Sequence, residues 1–165
     1  MLQSLDKLRV LVIDDDRAAC MFAASATRTA GVKDVILAES IDSGLRLFIE
    51  KSPDIIMASW EMKPINGIEF TRKIRAPNSP NFAIPVVLMV SLVSIQMVAE
   101  ARDAGVTEFL CRPFSTKHIA IRLSSVASNP RKFVGVPSYR GPCRRRTKSP
   151  DYAGPFRRAD DKPKA

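Results

Sequence analysis

The sequence has few of the residues that build metal centres or disulfide frameworks. It contains three cysteines in 165 residues, widely spaced and without a CxxC pair, and one histidine. An odd number of separated thiols excludes a disulfide-rich fold, and a single histidine disfavours a zinc site. We therefore expect Cys20, Cys111 and Cys143 to be reduced thiols in a cytoplasmic protein.

Long hydrophobic runs are also absent. The N-terminal apolar run, Val10 to Ile13, has four residues and is followed by three aspartates, which is not the pattern of a secretory signal peptide. No continuous apolar stretch approaches the ~20 residues that a helix needs to cross a bilayer. We therefore expect a soluble protein without a membrane span.

Acidic residues are scarce near the C-terminus. Residues 130–165 hold 11 Lys and Arg against 3 Asp and Glu, whereas residues 1–129 hold 15 against 14, so most of the net charge of +9 lies in the last segment. Hydrophobic residues at 45% and charged residues at 26% are ordinary values for a globular protein. The composition predicts one folded, nearly neutral domain over residues 1–129 and a basic Pro/Gly-rich tail over residues 130–165, extended or disordered.

The folded part alternates short β-branched runs with amphipathic segments. Strands are predicted at residues 9–13, 34–38, 54–58, 84–90 and 107–111. Each run is followed by apolar residues at helical spacing, ended by Gly31, Ser52-Pro53, Gly105 or Asn129-Pro130, or, for the third helix, at Arg75. Five such units predict an α/β fold with a five-stranded, doubly wound parallel sheet covered on both faces by five helices.

Sheets of this kind bind ligands at the carboxyl ends of their strands. The first strand ends in Asp14, Asp15 and Asp16, the third in Ser59, the fourth in Val90 and Ser91, and the fifth in Arg112-Pro113. Three adjacent carboxylates repel one another unless a cation or a basic side chain lies among them. The sequence therefore predicts a positive charge beside the aspartates.

Over residues 8 to about 128 the chain resembles the bacterial response-regulator receiver domain, whose fold is flavodoxin-like. The resemblance is carried by Val10-Leu-Val-Ile-Asp-Asp-Asp16 and by Pro53-Asp-Ile-Ile-Met-Ala-Ser-Trp-Glu-Met62. It extends through Gly67-Ile-Glu-Phe70, Pro85-Val-Val-Leu-Met-Val90 and the segment Ala104 to Phe114. The family implies a signalling module of a two-component phosphorelay that contacts a histidine kinase or another phosphorelay component.

The resemblance also implies a set of site residues, and several of them have changed here. In active members an aspartate at the end of strand three takes up a phosphoryl group, an acidic pair holds Mg²⁺, and a Ser/Thr and a lysine contact the product. The acidic pair corresponds to Asp14 and Asp15, but the acceptor position holds Ser59, the hydroxyl position Val90 and the lysine position Arg112. The chain therefore resembles a degenerate receiver, or pseudo-receiver.

These changes predict that the domain does no chemistry of its own. A serine hydroxyl is not an ionised carboxylate and cannot form a labile acyl phosphate, so we expect Ser59 to be inert and no residue to be catalytic. Loss of one carboxylate weakens a Mg²⁺ site, although Glu61 offers an oxygen nearby, so Mg²⁺ binding through Asp14, Asp15 and Glu61 is expected to be weak or lost. Arg112 is expected to bridge Asp14 or Asp15 in place of the metal.

The tail contains an internal repeat of the form Tyr-x-Gly-Pro-x-Arg-Arg with a period of 13. It runs from Tyr139 to Arg144 and Arg145, and again from Tyr152 to Arg157 and Arg158. An aromatic residue and a Gly-Pro turn are typical of a linear motif that docks on a protein partner, and these six residues are the predicted partner-binding set. A low-complexity basic end with no specific role is the other interpretation.

Two further functions stay open at this point. The basic clusters of the tail could bind nucleic acid or an anionic surface, although no recognisable DNA-reading motif is present. The second of these functions is a receiver that takes up phosphate at an unusual position, at Asp15, Asp16 or Glu61. A signalling module that acts by protein–protein interaction is the leading hypothesis.

Overall fold

A computed structural model of the protein describes residues 4–143. Five strands form one parallel sheet: β1 (Arg9–Ile13), β2 (Asp34–Ala38), β3 (Ile55–Ser59), β4 (Val86–Val90) and β5 (Glu108–Cys111). Their order across the sheet is β2-β1-β3-β4-β5. The order reverses next to β1, so a crevice opens between the carboxyl ends of β1 and β3.

Five helices cover the sheet: α1 (Arg17–Thr29), α2 (Ile41–Lys51), α3 (Gly67–Ile74), α4 (Ile95–Ala104) and α5 (Thr116–Ser128). Helices α1 and α5 pack on one face and α2, α3 and α4 on the other, so each face has its own apolar core. The predicted α/β class and flavodoxin-like doubly wound sheet are confirmed, with element bounds within a few residues of those predicted. No helix within residues 4–143 is long and apolar enough to span a bilayer.

Short polar side chains start every helix. Asp16 caps α1 by accepting the Ala19 N–H at 2.8 Å, and Asn66 caps α3. The first residues of α5 form a capping box in which the single histidine takes part: the Ser115 N–H donates to His118 Nδ1. His118 therefore has a local structural role at a helix end.

The segment after α5 differs from its prediction. Strands β6 (Phe133–Val136) and β7 (Tyr139–Pro142) form an antiparallel pair joined by a two-residue turn, here called the C-terminal hairpin. The hairpin packs against the C-terminal end of α4. Pro and Gly interrupt any apolar period in this segment and so predict extended or disordered chain, whereas the contacts that order the hairpin come from residues distant in sequence. The boundary at residue 129 stays a prediction, and residues 144–165 lie outside the described part.

Candidate functional site

The candidate site lies where β1, β3, β4 and β5 end. Alternate residues of these strands, such as Val12, Met57, Met89 and Leu110, point into the core beneath α1 and α5. Side chains two residues further along a strand continue on the same face. Asp14, Ser59, Ser91 and Arg112 all follow this alternation, and with Glu61 they form the carboxyl-end site.

Ser59 is the last residue of β3 and is fully buried. Its hydroxyl lies 3.5 Å from Glu61 Oε2, a long hydrogen bond that does not make it a nucleophile. The chain after Ser59 turns back over the strand end, and Gly67 permits the turn. A Cβ on Gly67 would lie 2.3 Å from the Ser59 carbonyl oxygen, so no other residue fits without moving the backbone.

Asp14 is the buried carboxylate of the site, at 2% exposure. Its Oδ1 accepts the Asp16 N–H at 3.0 Å, and its Oδ2 accepts a hydrogen bond from the Arg112 guanidinium. Arg112 is held in turn by its backbone N–H, which donates to the Val90 carbonyl at 2.7 Å. A positive charge therefore does lie beside the aspartates, and it is a side chain of the protein.

The other two aspartates serve the backbone. Asp15 Oδ2 accepts the Lys63 N–H at 2.9 Å, which ties the loop after β3 to the end of β1. Asp16 caps α1. Between the two partners that the sequence left open for Arg112, the structure shows an ion pair with Asp14 and none with Asp15 among the described residues.

Glu61 joins three strand ends through one carboxylate. Its Oε1 accepts the Ser91 N–H at 3.0 Å, and its Oε2 lies 3.6 Å from the Arg112 guanidinium. The Glu61 carboxylate therefore lies between the ends of β3, β4 and β5. Its side chain is 43% exposed, so its ion pair with Arg112 is weaker than that of Asp14.

The position predicted for Val90 needs a correction. Val90 is fully buried in the core between the sheet and α2, α3 and α4, on the face opposite the site. Because side chains alternate along a strand, the site-facing residue is Ser91, two residues after Met89, which pairs with Ser59. The hydroxyl position therefore lies one residue later than predicted, and the alternation of side chains along β4 is the signal that identifies Ser91. A hydroxyl-bearing residue is therefore present beside Ser59.

These residues do not fit a Mg²⁺ ion. Magnesium prefers octahedral oxygen coordination, with one or two carboxylates and several waters, so it needs open space beside those carboxylates. Here both Asp14 oxygens, Asp15 Oδ2 and Glu61 Oε1 accept hydrogen bonds from the protein, and the Arg112 guanidinium lies between Asp14 and Glu61. Within residues 4–143, no group of three His, Cys, Asp or Glu side chains is arranged to hold a metal ion.

An apolar groove borders the site, named here the α1–β5 groove. It has a volume of about 500 Å³ and is lined by Ala18, Ala19, Phe22, Arg112, Pro113 and Phe114. Phe22 is 60% exposed and its ring lies 6.0 Å from that of Phe114, measured between centroids. An exposed aromatic beside a held guanidinium is typical of a protein-contact surface.

The thiols lie in three different environments. Cys20 is buried beneath β1, and burial, with a smaller contribution from the Asp14 charge, raises the pKa of its thiol. Cys111 is exposed at the end of β5, and Cys143 is half-buried after the hairpin. All three are free thiols.

The predicted partner-binding residues of the tail are described in part. Tyr139 lies in β7, where its hydroxyl donates to the Pro142 carbonyl at 2.8 Å, so the aromatic of the first repeat contacts its own strand. Arg144, Arg145, Tyr152, Arg157 and Arg158 lie outside the described residues. The docking role of the repeat stays a prediction.

Comparisons with known proteins agree on one family. A family model described as the response regulator receiver domain matches residues 10–124. Transcriptional regulatory protein ZraR of Salmonella typhimurium is 29% identical over 126 residues, which cover 76% of this chain and 28% of ZraR. Chemotaxis protein CheY1 of Helicobacter pylori is 24% identical over 120 residues, which cover 72% of this chain and 96% of CheY1. The chain thus spans just over a quarter of ZraR and nearly all of CheY1.

Solved structures show the same fold. The receiver domain of the Francisella response regulator 1452 superposes with a TM-score of 0.66 at 26% identity, covering 74% of this chain and 98% of that domain. Chemotaxis protein CheY4 of Vibrio cholerae gives a TM-score of 0.66 at 23% identity, covering 72% of this chain and 98% of CheY4.

Proposed function

This chain belongs to the response regulator receiver family, and we propose that it acts in two-component signalling by protein contact, without phosphorylation at Ser59. Receiver domains are signalling modules, and the family implies interaction with kinases or other phosphorelay components. The proposal concerns what this member does at its altered site.

The Arg112–Asp14 ion pair is the observation that carries the proposal. The guanidinium neutralises a carboxylate that is almost fully buried, and it lies within reach of Glu61 as well. A buried charge needs a partner of opposite sign, which here is covalently part of the chain and always present. The buried negative charge of Asp14 is therefore neutralised without a metal ion or a phosphoryl group.

Two features together oppose phosphorylation. Among the described residues, the carboxylate that the buried Ser59 hydroxyl hydrogen-bonds is Glu61, at a long 3.5 Å, and a serine ester would be stable instead of reversible. Arg112 holds the carboxylate that a divalent cation would need. Ser91 does place a hydroxyl-bearing residue at the site, so the obstacle lies in Ser59 and Arg112.

Incubation with acetyl phosphate and Mg²⁺ tests the first part of the proposal. The parent protein is expected to show no phosphoryl adduct by intact mass spectrometry. Ser59→Asp is expected to form little adduct because Arg112 still holds Asp14, whereas Ser59→Asp with Arg112→Lys is expected to form a hydroxylamine-labile acyl phosphate. Ser59→Asn with Arg112→Lys, which has the same shape without a carboxylate, is the matched control.

Two outcomes would overturn this part. An adduct on the parent protein that survives hydroxylamine and maps to Ser59 by peptide mass spectrometry would show that Ser59 is an acceptor after all. Full phosphorylation of the single Ser59→Asp variant would show that Arg112 does not obstruct the site.

The α1–β5 groove is the surface proposed for the protein contact. Trp60 directly follows Ser59 and is the only tryptophan, so its fluorescence reports binding near the site. Titration with a panel of histidine phosphotransfer domains is expected to give saturable binding to at least one. Phe22→Asp is expected to weaken that binding about tenfold or more, since it places a charge in an apolar contact. Ile49→Asp, on the exposed side of α2, is the matched control and should bind as the parent does. Equal binding by both variants would exclude the groove.

A further inference from the structure

Helix α4 buries less apolar surface than its length suggests. Its buried residues are Ala101 and Ala104, whereas the shorter α3 buries Ile68, Phe70 and Ile74. Ile95 on α4 is 92% exposed. Because free energy from apolar burial scales with the area removed from water, two alanine methyl groups and a partly buried Met97 hold a ten-residue helix weakly. The contacts at the two ends of α4 therefore decide how firmly it is held.

The chain entering α4 is tied to the carboxyl-end site. Ser91, the first residue after β4, donates its N–H to Glu61 at 3.0 Å, and Glu61 in turn faces Arg112. Ser94 then caps α4 by accepting the Met97 N–H at 3.1 Å. Three residues thus separate the anchored N–H from the first residue of the helix.

The other end of α4 is tied to the C-terminal hairpin. Gly105 ends the helix with a φ of 87°, in the left-handed region. A Cβ on Gly105 would lie 2.5 Å from the Arg140 carbonyl oxygen, and one on Gly141 would lie 2.7 Å from the Gly105 Cα. The two backbones are therefore in direct contact, with no room for a side chain on either glycine.

The hairpin is itself attached to the domain by two arginines. Arg75, at the end of α3, donates twice to the Gly105 carbonyl, at 3.1 and 2.9 Å, and its guanidinium lies 4.9 Å above the Phe133 ring. Arg131 donates to the Thr107 carbonyl at 3.1 Å. Through these contacts the hairpin packs against the end of α4 and the residues just before β5.

We propose that α4 is held in one position by contacts at both of its ends, Glu61 with Ser91 at its start and the C-terminal hairpin with Gly105 at its finish. This two-ended clamp makes residues 130–143 part of the working domain. It deepens the proposed function and rests on it in one respect: a helix fixed from within suits a module that receives no phosphoryl group.

Hydrogen exchange of the full chain, read by mass spectrometry on peptides from α4 and α2, tests the clamp. Gly141→Ala is expected to speed exchange in the C-terminal half of α4 about tenfold relative to α2, because the new methyl group overlaps both the Tyr139 ring of its own strand and the Gly105 backbone and so displaces β7 from α4. Gly135→Ala is the matched control in the same hairpin. Its Cβ would lie 3.7 Å from the Phe82 ring, an ordinary contact, so α4 should exchange as in the parent.

The start of α4 is tested separately. Glu61→Ala removes the acceptor of the Ser91 N–H and is expected to speed exchange in the N-terminal half of α4 by a similar factor relative to α2. Glu69→Ala removes the same charge from the exposed side of α3 and should leave α4 unchanged. If Gly141→Ala destabilises the whole fold, Arg131→Ala opens the hairpin without adding an atom to the contact.

The outcomes separate the clamp from the proposed function. Exchange in α4 that stays at the parent rate in Gly141→Ala, Arg131→Ala and Glu61→Ala would overturn the clamp, even if no variant takes up phosphate. Faster exchange confined to α4, together with phosphorylation of the parent protein, would support the clamp and contradict the proposed function.

Discussion

Two arginines lie at opposite ends of the parallel strands, and their guanidinium groups bind different kinds of partner. Arg112, at the carboxyl ends of the strands, is paired with the carboxylates of Asp14 and Glu61. Arg75, at the opposite end, donates to the carbonyls of Gly105 and Phe82. The Arg112 guanidinium neutralises carboxylate charge, whereas the Arg75 guanidinium links its own helix to the backbone carbonyls of two other segments.

The difference in partners has a consequence for each site. Arg75 is 4% exposed, and burial lowers the pKa of its guanidinium to about 10. A carbonyl does not compensate a full charge, so Arg75 pays a desolvation cost that its hydrogen bonds and the Phe133 ring offset. Arg112 faces groups that a divalent cation also seeks. An arginine among carboxylates can replace an ion, whereas an arginine among carbonyls can only hold structure.

Replacing Arg75 is expected to have the largest effect. Arg75→Ala leaves the Gly105 and Phe82 carbonyls without their donors and opens a cavity beside Phe133, so the free energy of unfolding should fall by about 3 kcal/mol. Urea unfolding followed by circular dichroism measures it. Arg72→Ala, on the exposed side of the same helix, is the control and should change stability little. A loss no greater than that of the control would show that the hairpin end is not held by Arg75.

Replacing Arg112 is expected to cost less, because its side chain is 24% exposed and water can reach the pair. Arg112→Ala should lower the free energy of unfolding by about 2 kcal/mol, since it leaves the Asp14 carboxylate buried without an opposite charge. Asp14→Asn added to Arg112→Ala should recover part of that loss. A double variant no more stable than Arg112→Ala alone would contradict an ion pair as the source of the effect.

The pH dependence of stability should separate the two arginines with a smaller effect. The folded-state pKa of Arg75 lies below its ordinary value, so above about pH 10 the unfolded chain binds more protons than the folded one. Stability contributed at Arg75 should therefore rise with pH in that range and stay constant between pH 7 and 9. The difference in unfolding free energy between the parent and Arg75→Gln, which has no titratable group at that position, measures this contribution. A difference that falls above pH 10 would contradict the sign.

The sequence predicted the sheet because its strands repeat a simple pattern. Buried β-branched runs such as Val86 to Val90 are followed by helices with regular apolar spacing, and both periods are local. The approach of Arg112 to the aspartates could also be expected, because neighbouring strand ends converge in a parallel sheet. Which aspartate it pairs with depends on side-chain directions, and Asp15 points to Lys63 instead.

Two features were beyond the local pattern. The motif alone predicts Val90 as the site-facing residue of β4, because it does not show which side chains of the strand face which side of the sheet. The contacts of Val90 in the core beneath α2, α3 and α4 show that Ser91 faces the site instead. The C-terminal hairpin has no apolar alternation to reveal it. It is ordered by contacts far apart in sequence, such as Arg75 with Phe133 and Gly105 with Gly141.

A crystal structure of the full chain in millimolar Mg²⁺ shows whether Arg112 takes the place of a metal ion. We expect the Arg112 guanidinium to stay on Asp14 and no octahedral ion to lie among Asp14, Asp15 and Glu61. An octahedral Mg²⁺ bound by Asp14, with Arg112 turned out to solvent, would contradict it.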